Sequence, residues 1–144
     1  MADVVIDANV LVALLYQADV HHDRARQLVD RLERDGNTLV MLDFLVYEAV
    51  SVLCRRARER KTSPPDLATV LTAVRAWFRD GQVQTAAQEA TRFVDNVLDV
   101  VDQTGGVLNF NDALVAVLER EGLIEQFASF DPGFDALPDF RRIS

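Results

Sequence analysis

Short, continuously apolar runs alternate with helix-length segments along this chain, and that rhythm constrains its architecture more than any other feature. Asp3 to Ile6 reads as a short buried strand, and Ala8 to about Tyr16 as a helix apolar nearly all round. A helix with a polar face follows from about Val20 to Asp35 and stops at Gly36-Asn37. The run TLVML, 38–42, reads as a second buried strand. A long helix from about Asp43 to Lys61 comes next, with Val46, Val50, Leu53 and Ala57 at helical spacing. Thr62-Ser63-Pro64-Pro65 breaks it, and Pro64 or Pro65 starts another helix that runs to Asp80-Gly81. QVQT, 82–85, is a short strand, and Ala86 to about Gln103 is helical before Gly105-Gly106. A helix from Phe110 to Glu121 stops at Gly122. The strand QFASF, 126–130, ends at Asp131-Pro132-Gly133, and FRRI, 140–143, closes the chain as a candidate edge strand.

Strands alternating with helices favour the α/β class, with a mainly parallel central sheet of four to five strands and helices on both faces. The chain has 144 residues, 49% of them hydrophobic, and no repeat, low-complexity stretch or linker, which suits one domain over 1–144. No apolar run is long enough to span a bilayer and no basic segment precedes a cleavage site, so the expectation is a soluble cytoplasmic protein without membrane contact. The single Cys54 excludes an intramolecular disulfide and a cysteine-cluster zinc site, and reads as a small core residue. Lys61 is the only lysine, in neither a P-loop nor a Schiff-base setting. A net charge of −8 argues against a generic nucleic-acid coat.

In open parallel sheets, ligands bind outside the carboxyl ends of the strands, so polar residues at those ends matter most. Asp7 follows the first strand directly and interrupts VVIDANVLVALL, where a lone buried carboxylate would be costly. Its bland explanation is a helix N-cap. Glu48 interrupts LDFLVYEAVSVL, although a glutamate there can also face solvent. Asp112 in LNFNDALVAVL suits a first-turn acid favoured by the helix dipole, and Asp131 suits an Asp-Pro-Gly turn. With 23 acids in the chain, none of these stands out alone. Their positions say more together. If the first and fourth strands lie side by side, Asp7, Asp112 and Asp131 converge, and clustered carboxylates cannot all ionise without a cation among them. Oxygen donors with no nearby His or Cys select a hard ion, Mg2+ or Mn2+, of the kind that works on phosphate esters.

The stretches VVIDANVLVALL, FLVYEAVSVL, LNFNDALVAVLEREG and FASFDPGF, in this order and across nearly the whole chain, resemble the PIN-domain family of metal-dependent ribonucleases. Within it they resemble the VapC toxins of type II toxin–antitoxin pairs. The resemblance implies a quartet of acids around Mg2+ or Mn2+, which falls on Asp7, Glu48, Asp112 and Asp131. Asn9 matches the polar residue two positions after the first acid, and Ser129 the small hydroxyl residue before the last. Asp135 competes with Asp131 for the fourth position, and Ala8 stands where family members often carry Thr or Ser. The resemblance also implies in-line attack of a metal-activated water on an RNA phosphodiester, a cognate antitoxin protein and a homodimer.

The other features carry less. RRARERK, 55–61, offers Arg55, Arg56, Arg58 and Arg60 as RNA phosphate contacts, with a solvated helix end as the even alternative. His21 and His22 read as a helix start rather than metal ligands. Trp77 and Phe78 read as core or dimer surface, and Leu67, Val70, Leu71 and Val74 could equally meet a second subunit or an antitoxin peptide. A haloacid-dehalogenase-like phosphatase also begins with an Asp after the first strand, but needs a second acid where this chain has Asn9. The remaining rival is a non-catalytic PIN-like module that binds RNA or protein.

Overall fold

A computed structural model describes residues 1–59 and 63–144 of the chain. Five strands, β1 (Asp3–Ile6), β2 (Thr38–Leu42), β3 (Val83–Gln84), β4 (Gln126–Ala128) and β5 (Arg142–Ile143), form one sheet in the order β3-β2-β1-β4-β5. Every pairing is parallel. Between them, among the described residues, lie seven α-helices: α1 (Ala8–Leu15), α2 (His22–Arg34), α3 (Asp43–Arg58), α4 (Leu67–Arg79), α5 (Ala87–Arg92), α6 (Val94–Gln103) and α7 (Phe110–Arg120). A short 3-10 helix covers Pro132–Ala136. The α/β reading therefore holds, with β1 central and its pairing to β4 in place: Ile6 lies opposite Ala128, and the Asp7 N–H donates to the Ala128 carbonyl at 2.9 Å.

The helices apolar on all sides are the ones packed inside. Val10 to Ala13 of α1 and Ala113 to Leu118 of α7 are all buried, whereas α2 buries one stripe of Ala25, Leu28 and Leu32. Register at β2 is fixed from its start. Gly36 turns the chain out of α2 at φ +80°, and Asn37 accepts the Ala2 N–H on its side chain while donating to the Leu32 carbonyl. Beyond β4, the rings of Phe127, Phe134 and Phe140 pack with centroids 5.0–5.8 Å apart, so the 3-10 helix is clamped to the sheet.

Several boundaries differ from the sequence reading. The helix expected over 86–103 is broken at Phe93, which no Gly or Pro marks. The helix after the proline pair starts at Leu67, where Asp66 caps it by accepting from the Ala68 and Thr69 N–H groups, rather than at Pro64 or Pro65. The described part of α3 ends at Arg58, and the last residues of the expected helix lie outside the described residues. The apolar stripe of α4 faces inward: Val70 is buried and Leu67, Val74 and Trp77 pack on the core. What remains outside is a stacked pair, Tyr47 (56% exposed) and Phe78 (43% exposed), with centroids 6.1 Å apart.

The aromatic clamp makes a stability prediction. Phe134→Ala, at a fully buried position, should lower the unfolding free energy by about 3–5 kcal/mol in urea denaturation. A loss below about 1 kcal/mol would show that the ring cluster does not hold the segment.

Candidate functional site

Among the described residues, the buried polar ones are Asp7, 4% exposed, and Ser129, 0% exposed, and they are bonded to each other. The Ser129 hydroxyl donates to Asp7 Oδ2 at 2.5 Å, and the Ala8 N–H donates to Oδ1 at 2.7 Å. Ser129 Oγ in turn accepts from Asn9 Nδ2 at 3.3 Å and from the Asp131 N–H at 3.0 Å. One hydroxyl thus uses its proton and both lone pairs to tie the end of β1 to the end of β4. Asn9 completes the link by accepting the Phe130 N–H at 3.2 Å. Ala8 offers no hydroxyl of its own, so Asp7 takes its two donors from Ser129 and from a backbone N–H.

Asp7, Glu48, Asp112 and Asp131 share one cleft of about 320 Å3 at the carboxyl ends of β1 and β4. A hollow of about 530 Å3 under Trp77 and one of about 350 Å3 beside Phe140 are larger but contain none of these acids. Asp112 reaches the cleft from the first turn of α7, where it and Asn109 cap each other: Asp112 N–H donates to Asn109 Oδ1 at 3.0 Å and Asn109 N–H to Asp112 Oδ2 at 3.3 Å. Glu48 comes from α3, half-buried, with Asn111 as a side-chain partner. Asp131 caps the 3-10 helix by accepting the Gly133 N–H at 2.8 Å. Asp135 lies elsewhere, paired with Arg142 through both carboxylate oxygens at 3.1 and 3.2 Å. Of the two candidates for the fourth acid, the cleft contains Asp131.

The acids feel one another. Burial pushes the Asp7 carboxyl up to about 7, against the hydrogen bonds from Ser129 and Ala8 and with help from the charges of Asp112 and Glu48. Glu48 is raised by burial and then by Asp112 and Asp131; Asp112 is raised by burial and, against the Asn109 hydrogen bond, by Asp131. Four mutually repelling oxygen donors are what a hard divalent cation relieves, so the donor chemistry fits Mg2+ or Mn2+. Among the described residues, no three His, Cys, Asp or Glu side chains are already drawn together as a group that could hold an ion. The side chains or intervening waters would have to close around it.

Of the basic run, Arg55 and Arg56 line the cleft and Arg58 does not, while Arg60 lies outside the described residues. Arg56 is engaged by Asp19, whose side chain is 7% exposed, and by the ring of Tyr16. Asp19, His21 and Asn109 also line the cleft, although the sequence reading did not place them there. Only the two asparagines of NFND, at a helix start beside a candidate acid, gave a signal that could have been used. His21 and His22 stand at the start of α2, as expected, and the His22 ring is bonded to the Ala13 carbonyl.

Residues 4–139 match the family model for the PIN domain. The crystal structure of VapC20 from Mycobacterium tuberculosis, a sarcin-ricin-loop-cleaving toxin, superposes with a TM-score of 0.64 at 18% identity, covering 97% of this chain and 98% of that one. Among curated proteins, no sequence matches. No helix of the described residues is long and apolar enough to cross a membrane.

The raised carboxyl of Asp7 predicts a pH dependence. Because its folded value, about 7, lies above its ordinary 3.8, the folded chain binds the proton more tightly than the unfolded one between these values. Metal-free stability should therefore fall as pH rises through that window, by up to about 1.4 kcal/mol per pH unit from this group. Glu48 and Asp112 add to the fall with the same sign. Asp7→Asn should flatten the slope, whatever constant offset the lost Ser129 bond brings. Urea melts across that pH range in EDTA measure it, and parallel pH curves for the two proteins would remove Asp7 from the coupling.

Proposed function

The chain belongs to the PIN-domain family, and from that premise we propose that it is a Mg2+- or Mn2+-dependent endoribonuclease, the toxin of a type II toxin–antitoxin pair. The observation that supports this reading is the convergence of Asp7, Glu48, Asp112 and Asp131 on one cleft. The RNA-cleaving toxin whose fold this chain shares points the same way. When bound, the ion supplies charge neutralisation at a phosphodiester and makes a neighbouring water more acidic. Asp7, Asp112 and Asp131 would hold it, directly or through water. Asp7 stays aimed because both its oxygens are bonded to donors on the fold. Glu48, whose carboxyl is raised by burial and by its acidic neighbours, would orient the attacking water and accept its proton. Exposed Arg55 at the rim would meet the phosphate. A non-catalytic PIN-like module is the second reading, favoured by the absence, among the described residues, of a group already drawn together for an ion.

Two measurements on Asp112→Asn separate these readings. Wild type should cleave single-stranded RNA with Mn2+ and stop in EDTA, and Asp112→Asn should lose cleavage. Mn2+ should also raise the melting temperature of wild type and raise that of the variant much less. Equal melting shifts with no cleavage by either protein would favour the binding module.

Self-association and antitoxin capture we place on the exposed Tyr47–Phe78 pair that bridges α3 and α4. Light scattering should show a dimer that Phe78→Glu shifts to monomer. A wild-type monomer at high micromolar concentration would contradict the dimer.

A further inference from the structure

The described cations without an acidic partner are not confined to the basic run. Arg24, Arg31 and Arg34 lie on one face of α2, spanning eleven residues or about 15 Å of helix. With Gln27, Leu28 and Ser144 they line a hollow of about 300 Å3. Among the described residues no ion pair engages any of the three; Arg31 donates only to the Ser144 carbonyl, at 3.3 Å. Asp23 and Asp30 follow the polar flank of the same helix and neutralise none of them by contact. In a protein of net charge −8, a hollow lined by three arginines and no acidic side chain is a local reversal of sign.

This hollow is joined to the carboxylate cleft by a tilted pair of rings, His21 and Phe130. The Arg24 guanidinium lies 4.3 Å from the centroid of Phe130, and the Phe130 ring lies 5.5 Å from that of His21, which lines the cleft. Phe130 sits between Ser129 and Asp131, and its N–H is held by Asn9. Cleft, His21, Phe130, Arg24 and the arginine hollow therefore form one continuous surface. The exposed His21 ring and the exposed Arg24 guanidinium plane suit a nucleobase, and spaced guanidinium groups suit phosphates. An acidic peptide satisfies the arginines but has no flat face for the rings.

We propose that the Arg24–Arg31–Arg34 face of α2, entered past Phe130 and His21, is a track for single-stranded RNA flanking the bond that lies over the carboxylates. The proposal rests on the ribonuclease reading and adds a second anchoring surface, separate from α3, that sets how the strand enters. It makes substrate length matter: RNA too short to reach α2 forgoes these contacts.

Fluorescence anisotropy of a labelled single-stranded RNA in EDTA, where binding is read without cleavage, tests it on the full chain. The double variant Arg31→Gln/Arg34→Gln should bind more weakly. Its slope of log K against log salt should be shallower by about 1.4, two contacts at about 0.7 each. Arg92→Gln, on α5 and outside the cleft and the hollow, is the control and should leave the slope unchanged. With Mn2+, the double variant should raise KM for a long RNA and leave kcat unchanged, since neither arginine touches the acids. Wild-type binding and cleavage with an unchanged slope in the double variant would overturn the track alone. Wild type that neither binds nor cleaves RNA would overturn the ribonuclease reading and the track with it. Tighter capture of a poly-glutamate peptide than of RNA, lost in the double variant, would overturn the RNA assignment and give the surface to an acidic protein segment.

Discussion

The ends of the two central strands meet at one buried hydrogen bond, from the Ser129 hydroxyl to the Asp7 carboxylate. A carboxylate at the end of the central strand is costly to bury, and this one has only two donors to offset the loss of water. The opposing effects are visible in its raised proton affinity: burial outweighs both hydrogen bonds, and neighbouring acids push the same way. The Ser129 oxygen that donates to Asp7 also accepts from the Asn9 side chain and from the Asp131 N–H. The same bond therefore sets the relative position of β1, α1 and the turn that presents Asp131. Asp7 is both the N-cap of α1 and a member of an unbalanced charge cluster.

Much of this was legible in the sequence because the signals were local. Apolar runs next to helix-length segments gave the layered sheet, and acids at strand ends gave the cleft once β1 and β4 proved adjacent. Asp131 and Asp135 could not be separated from spacing, since both follow the same strand within five residues. What separates them is Arg142, which reaches back from β5 to engage Asp135 and is close to it only in the folded chain. The break at Phe93 was invisible for a related reason: apolar periodicity runs through it without a helix-breaking residue.

Density along the chain is a poor guide to where charge acts. RRARERK attracts notice because five cations fall within seven residues, yet Arg56 is engaged by Asp19 and Arg58 does not line the cleft. The α2 arginines are dispersed among acids in the sequence, and only the helical repeat gathers Arg24, Arg31 and Arg34 onto one face. A compact run reports neighbours in the chain, whereas a substrate meets neighbours on the surface. Likewise the apolar stripe of α4 suits an outward surface as well as a core by its pattern alone, and in the folded chain its own core covers most of it.

On the function proposed above, the four acids of the cleft take one kind of ligand, a hard divalent cation. Calorimetric titration of Mn2+ into the metal-free chain, in buffers of different ionisation enthalpy, reads binding and proton release together. Asp7, with its carboxyl pushed up to about 7, is largely protonated at a pH about one unit below that value and must ionise to act as a ligand. Saturable binding should release roughly one proton per ion there and close to none at a pH about one unit above. Absence of saturable binding at both pH values, or binding whose proton release does not change between them, would contradict the account.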